Sequence, residues 1–198
     1  MIKRAFDMVV SAVGLILFSP LYLAIAVAIK VESRGPVFFR QIRVGRFGRP
    51  FRIHKFRSMT AGTVQGPQIT VGRDPRITKV GQIIRDWKLD ELAQLIDVFI
   101  GRMSLVGPRP EVLKYVDMYP PDLRTLILSV RPGITDPASI RFRNESEILA
   151  QSVDPDRTYR EEILPLKLQL QADYVQTRTF AGDCRIIWNT LAAVLLGR

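Results

Sequence analysis

The chain opens on a run without charge. From Met8 to Ile29 the sequence reads MVVSAVGLILFSPLYLAIAVAI, 22 residues, close to the roughly 20 that cross a bilayer as a helix. A secretory signal is the first competitor, since Lys3 and Arg4 supply a basic start, but the run is long for a signal's apolar core. Two features work against a simple span. Basic residues flank both ends, Lys3 and Arg4 before and Lys30 and Arg34 after, and the positive-inside rule places both flanks on the cytoplasmic side. Ser19 and Pro20 sit near the middle, and proline removes a backbone donor and breaks the helix there. A re-entrant helix-break-helix, with Ser19 satisfying freed backbone, and a kinked transmembrane helix both meet these facts. Asp7, at the edge of the run, reads as the local partner of Lys3 or Arg4.

Past Gly35 the pattern changes. Pro36 to Val44 (PVFFRQIRV) and Phe51 to Met59 (FRIHKFRSM) are rich in aromatic and β-branched residues and flank the turn GRFGRP, which predicts a β-hairpin. The period of two puts Phe51, Ile53, Lys55 and Arg57 on one face. A strand end projecting Lys and Arg from an apolar base suits a phosphate, and equally a charge-protected edge strand. Thr60 to Pro75 reads as loop. From Ile83 a helix is expected, with Leu89, Leu92, Ile96 and Phe99 as its buried stripe, Asp90, Gln94 and Asp97 on another side, and Gly101 as its stop. MSLVGPRP (103–110) and RPGITDP (131–137) read as rigid or turn-rich connections. Short helices are expected over Glu111 to Tyr119 and Glu161 to Val175, and Ile186 to Leu196 as an apolar tail too short to span. This predicts an α+β, mostly helical fold in two parts: a membrane hairpin over 1–34, and a compact catalytic domain over 35–198 with a small β-hairpin and amphipathic interfacial helices.

Composition narrows the chemistry. One cysteine, Cys184, excludes an internal disulfide and a cysteine zinc site, and one histidine, His54, excludes a His-rich metal centre. A formal net charge of +10 attracts nucleic acid, anionic lipid or phosphorylated substrates without choosing among them. Asp90-Glu91 is, by itself, a commonplace pair of acids in a first helical turn. Its company is less ordinary: Lys55, Arg57, Arg76, Lys79, Arg85, Lys88 and Arg109 lie in the segments around it. A carboxylate among cations is expected to stay ionised, able to act as a nucleophile or to hold a hard divalent cation.

The ordered blocks carry a resemblance. The apolar start with Ser19-Pro20, then FFRQIRVGRFGRPFRIHKFRSM, DPRITKVGQIIR, LDELAQL, MSLVGPRPE, RPGIT and a Tyr174-Val175 segment before an amphipathic tail resemble the monotopic bacterial sugar transferases, small polyprenyl-phosphate phosphoglycosyl transferases that initiate glycoconjugate synthesis. The resemblance runs nearly end to end. It implies transfer of a sugar phosphate from a UDP-sugar to undecaprenyl phosphate with release of UMP, at the cytoplasmic face of the bacterial inner membrane. It implies Asp90 as nucleophile of an aspartyl phosphosugar intermediate, and Glu91 as the second acid, positioning Asp90 or assisting metal and acceptor. It implies Mg2+ near Asp90. Lys55, Arg57, Arg85 and Arg109, with Arg76 and Arg143, take the basic substrate-binding positions.

A homo-oligomer is left open, no nucleic-acid motif is present, and the chain is expected to be a minimal form without a preceding multi-span domain. Where many members read TSLDELP, this chain has WKLDELA, and where many read GITGWAQV it has GITDPASI. The second departure bears on which sugar is read. The competing reading is a membrane-anchored binding protein for anionic lipid or nucleic acid, without catalysis.

Overall fold

The computed structural model describes residues 2–61 and 74–196. The fold is α+β and mostly helical. Helices α1 (Ile2–Leu17) and α2 (Ser19–Glu32) are bent by 60° at Phe18. The local chemistry of the break is visible. Pro20 has no N–H to give the carbonyl of Ile16, and the Ser19 hydroxyl donates to that carbonyl instead, at 2.8 Å. Among the described residues no single helix is long and apolar enough to cross a membrane; the bent pair passes that test only together.

The bent helix pair is bolted to the rest by polar contacts. Asp7, expected to pair with Lys3 or Arg4, is buried and accepts instead from the Ser104 hydroxyl at 2.7 Å and the Leu105 amide at 3.1 Å. Lys3 reaches Asp183 at 2.5 Å, and Arg4 caps the carbonyls of Val98 and Phe99 at 2.6 and 2.8 Å. All three basic or acidic side chains therefore spend their charge on the domain rather than on each other. Phe6 and Leu15 of α1 pack on the core around Ile53, Val98 and Met103, and Ile25 and Ile29 of α2 join Phe56, Ile84 and Ala93. Val9, Val13, Ile16 and Leu17 of α1, and Leu23 and Val27 of α2, stay exposed.

The predicted β-hairpin forms as two rungs: β1 (Phe38–Phe39) pairs with β4 (Lys55–Phe56), and β2 (Ile42–Val44) with β3 (Pro50–Arg52), all antiparallel. Most of the Thr60–Pro75 segment lies outside the described residues. Helix α3 (Lys79–Asp86) starts where Thr78 accepts from the Gly81 amide and Glu32 accepts from the amides of Lys79 and Val80.

The expected continuous helix after Ile83 is broken. Lys88 adopts φ 55°, a left-handed conformation that ends α3. A 3-10 turn then covers Leu89–Gln94 before α4 (Leu95–Phe99). The change of pitch shifts the phase of burial. Leu89, Leu92 and Ile96 are half-buried and Phe99 is exposed, while Asp90, Gln94 and Asp97 are buried. The polar side turned inward because it has partners there: Asp97 takes the His54 amide at 2.7 Å and pairs with His54 Nδ1 at 2.9 Å.

The two connections MSLVGPRP and RPGIT contain a parallel pair, β5 (Ser104–Val106) with β6 (Gly133–Thr135). Three residues are too few to show alternation. Their approach depends on glycine: a Cβ on Gly133 would stand 2.1 Å from the Gly107 amide nitrogen. Short helices α5 (Leu113–Val116), α6 (Pro121–Ile127), α7 (Pro137–Arg141), α8 (Glu145–Ala150) and α9 (Pro155–Thr158) follow. A π turn over Tyr159–Ile163 leads into α10 (Leu164–Thr177). The apolar tail is part of a longer helix, α11 (Phe180–Leu196).

Candidate active site

A cavity of about 590 Å³ opens beside the 3-10 turn, within the range of small-molecule sites. Lys55, Arg85, Asp90, Glu91, Arg109 and Arg143 all line it. Five segments deliver them, Arg143 coming from the turn between Arg141 and Glu145. Lys55 comes from β4, Arg85 from the last turn of α3, and the two acids from the turn that Lys88 sets apart from α3. Arg109 comes from the loop after β5 and is held by Asp136. That buried carboxylate accepts from the Arg109 amide at 3.1 Å, from Gln171 at 2.9 Å and from the Ser139 amide at 2.6 Å. Asp136 thus fixes the arginine loop to α7 and α10. Nothing in its local sequence, DPAS, marked it beyond a helix cap.

The adjacent acids divide the available charge unequally. Glu91 receives a bidentate grip from Arg109, one bond of 2.9 Å and a second shorter still, and a bond from Lys55 at 2.9 Å. Burial opposes its ionisation, but the Arg109 and Lys55 cations outweigh it and hold Glu91 well below the ordinary glutamate value. Asp90 accepts no hydrogen bond among the described residues, and its nearest cation is Lys55 at 3.9 Å. Burial pushes its carboxyl above the ordinary aspartate value, Lys55 pulling the other way and the Glu91 anion adding to the rise. The expectation that surrounding cations keep this carboxyl low is therefore corrected: the cations are committed to its neighbour.

Three predicted basic residues stand elsewhere or have other duties. Arg57 does not line the cavity. The strand ends at Phe56, so the period of two no longer governs it. Its buried guanidinium donates to the carbonyls of Arg34 at 2.5 Å, Ser33 at 2.8 Å and Ile29 at 3.4 Å, capping α2. Arg76 is taken up by Asp74, two residues away, at 2.5 Å. Arg143 lines the cavity while donating to the Ala193 carbonyl on α11 at 2.7 Å. The Arg85 guanidinium lines the cavity with no hydrogen bond among the described residues, and its charge acts on Asp90.

A second polar group lines the same wall, and although Glu111 closes the MSLVGPRPE block the sequence did not mark it as a site. Glu111 is buried and accepts from Tyr159 at 2.7 Å, Lys167 at 3.3 Å and Arg43 at 3.4 Å; Lys167 also donates to Glu145 at 3.0 Å. Its members are spread over more than a hundred residues of chain, and only the fold gathers them. Among the described residues no group of three His, Cys, Asp or Glu side chains has the arrangement of a protein-built metal site.

The family-wide profile described as bacterial sugar transferase matches residues 1–197, and the chain belongs to that family. The UDP-N-acetylgalactosamine-undecaprenyl-phosphate N-acetylgalactosaminephosphotransferase of Aeromonas hydrophila is 38% identical over 99% of this chain and 44% of its own length. The UDP-glucose:undecaprenyl-phosphate glucose-1-phosphate transferase of Klebsiella pneumoniae is 44% identical over 74% of this chain and 32% of its own. The enzyme of the same name from Caulobacter vibrioides is 37% identical over 98% of this chain and 69% of its own. The chain thus spans less than half the length of the first two relatives.

Proposed function

We propose that this bacterial sugar transferase moves a sugar phosphate from a UDP-sugar to a polyprenol phosphate such as undecaprenyl phosphate, releasing UMP, through a covalent intermediate on Asp90. The observation that carries the reading is the split between two adjacent carboxylates in one cavity: Glu91 engaged by two cations, the Asp90 carboxylate buried and without a hydrogen bond among the described residues. A poorly solvated carboxylate with unoccupied lone pairs is a competent nucleophile. The relatives' names supply the substrate classes.

An Asp90 oxygen attacks the phosphorus that bears the sugar. The bond from that phosphorus to the bridging oxygen of the diphosphate breaks, and UMP leaves with that oxygen and its electron pair. An oxygen of the lipid phosphate then attacks the same phosphorus, and the bond to Asp90 breaks, restoring the carboxylate. Such transfer depends on positioning and charge stabilisation, which Lys55, Arg85 and Arg109 supply. Glu91 keeps Lys55 and Arg109 gathered before the donor's own negative charge arrives.

The donor set suits Mg2+, a cation that takes one or two carboxylates and completes its shell with water and substrate phosphates. Asp90, whose carboxylate accepts no hydrogen bond among the described residues, would hold it. Bound there, it supplies charge neutralisation between the carboxylate and the diphosphate.

The bent helix pair with its exposed apolar side chains supports a re-entrant hairpin in the cytoplasmic leaflet of the bacterial inner membrane. On α11, the exposed Phe180, Trp188 and Leu191 suit the interface beside it. The reaction would be the first membrane step of an exopolysaccharide, O-antigen or glycoprotein glycan. The test is a half-reaction: protein in lipid nanodiscs, a panel of sugar-labelled UDP-sugars, and no lipid acceptor. Wild type should release up to one equivalent of UMP and retain the label after denaturation, then lose it when polyprenol phosphate is added. UMP release with no label ever on the protein refutes the covalent route.

A further inference from the structure

The buried group around Lys167 takes no part in the phosphoryl chemistry, yet it shares the cavity wall with Asp90 and Glu91. Its two carboxylates are not equivalent. Glu111 is saturated: Tyr159, Lys167 and Arg43 all donate to it, and its side chain is only 9% exposed. Glu145 receives Lys167 on Oε2 alone, leaves Oε1 without a bond among the described residues, and is 28% exposed. Lys167 itself is 5% exposed. A buried ammonium is costly unless paired; Glu111 answers that need, and Glu145 is the second, outward-facing partner that Lys167 holds at the cavity surface.

The placement of these groups is specific. The π turn over Tyr159–Ile163 opens on Tyr159, whose Oη lies 3.2 Å from Lys167 Nζ. Both Glu111 and Glu145 stabilise the Arg109 cation through space, so this group adjoins the phosphate-handling arginine. Ser139, also in the wall, has a buried hydroxyl oxygen with no hydrogen-bond partner among the described residues. It lies in DPASI, the stretch that departs from the family's usual reading.

We infer that Glu145, held by Lys167 and joined by Ser139, reads the hydroxyls of the donor's sugar ring. The inference rests on the transfer reaction proposed above. An ionised carboxylate with a free oxygen accepts strongly from ring hydroxyls. The same chemistry would take a pyranose or the ribose of the nucleotide. The pyranose is favoured because it is bonded to the very phosphate that Asp90 attacks, beside Arg109, whereas the ribose lies across the diphosphate. Sites built on hydrogen bonds to a hydroxyl discriminate sharply against an epimer that misplaces it.

The experiment compares wild type with Glu145→Ala and Glu145→Gln on UDP-glucose, UDP-galactose and their N-acetyl forms, and on UMP and UDP alone. KM values are taken from turnover. Affinities are taken by calorimetry with Asp90→Asn added, so binding is measured whether or not transfer occurs. Glu145→Ala should weaken the preferred donor by about tenfold or more, the loss of one or two charge-assisted bonds. It should also narrow the spread among the four donors and leave UMP and UDP affinity and the melting temperature unchanged. Glu145→Gln should fall between. Equal weakening of UMP and UDP would assign the carboxylate to ribose and overturn the inference. So would a lowered melting temperature with the donor ranking intact. Absence of UMP release from every donor in wild type would count against the transfer reaction, while the calorimetric ranking would still decide the role of Glu145.

Discussion

Arg57 separates a substrate-binding role from a structural one, and Arg57→Met tests the difference. The guanidinium makes two strong bonds to carbonyls, 2.5 Å to Arg34 and 2.8 Å to Ser33, and a marginal one of 3.4 Å to Ile29, at 5% exposure. Bonds from a charged donor contribute about 1.5–3 kcal/mol each, so the two strong ones amount to roughly 3–6 kcal/mol. Methionine fills the stem's volume and recovers about 1 kcal/mol of apolar burial, and removing a charge with no carboxylate beside it returns part of the desolvation cost. The net destabilisation should be about 2–4 kcal/mol. For a chain of this length that lowers the melting temperature by roughly 5–15 °C.

The assay is thermal unfolding in nanodiscs, alongside kcat/KM at a temperature well below both transitions, which should stay within about threefold of wild type. An unchanged melting temperature with a donor KM raised tenfold would refute the reasoning and return Arg57 to the substrate. Gly35→Ala provides a second handle. Its φ of 126° suits glycine, and a Cβ there would stand 2.2 Å from Arg57 Nη1. It should destabilise in the same way, and the double variant should be less than additive, because both changes break one contact.

Asp90→Asn should abolish turnover and raise the melting temperature at neutral pH, as seen by calorimetry. The folded pKa of Asp90 lies above its unfolded value, so its contribution to stability is present in acid and lost as pH rises through the folded value; an unchanged or lowered melting temperature at pH 7 contradicts this. For the same reason the acid limb of kcat/KM should lie above the ordinary carboxylate range. Glu91→Gln should release Arg109 and Lys55, tightening UDP binding by calorimetry while turnover falls; weaker UDP binding would show that Glu91 does not compete with the diphosphate. Chelation of divalent cations should stop turnover, and full activity in excess chelator with no metal bound would remove Mg2+ from the site. Single cysteines near Met1 and Ser33, in a background lacking Cys184, should both label from the cytoplasmic side only; periplasmic labelling near Met1 would replace the hairpin with a span.

Elements whose signal is local were legible in the sequence. The break at Ser19-Pro20, the turn between the two β-strand runs and the pairing of Asp90 with Glu91 each follow from neighbouring residues and backbone chemistry. So did the gathering of Lys55, Arg85, Arg109 and Arg143 around the acids, though that came through ordered motif blocks rather than through periodicity. What only the tertiary structure decided depends on groups far apart in the chain. Arg57 caps a helix more than twenty residues upstream, because the strand ends before the alternation reaches it. Asp7 bridges to Ser104 rather than to its neighbours. The helix expected to bury leucines buries Asp90, Gln94 and Asp97, because Lys88 resets its phase and His54 waits inside for Asp97. The unequal fate of Asp90 and Glu91 is the clearest case. Sequence sees two adjacent acids among many cations. Which acid captures Arg109 and Lys55, and which is left desolvated, is a matter of ångströms of placement, since pairing and burial act over contact distances that spacing along a chain does not encode.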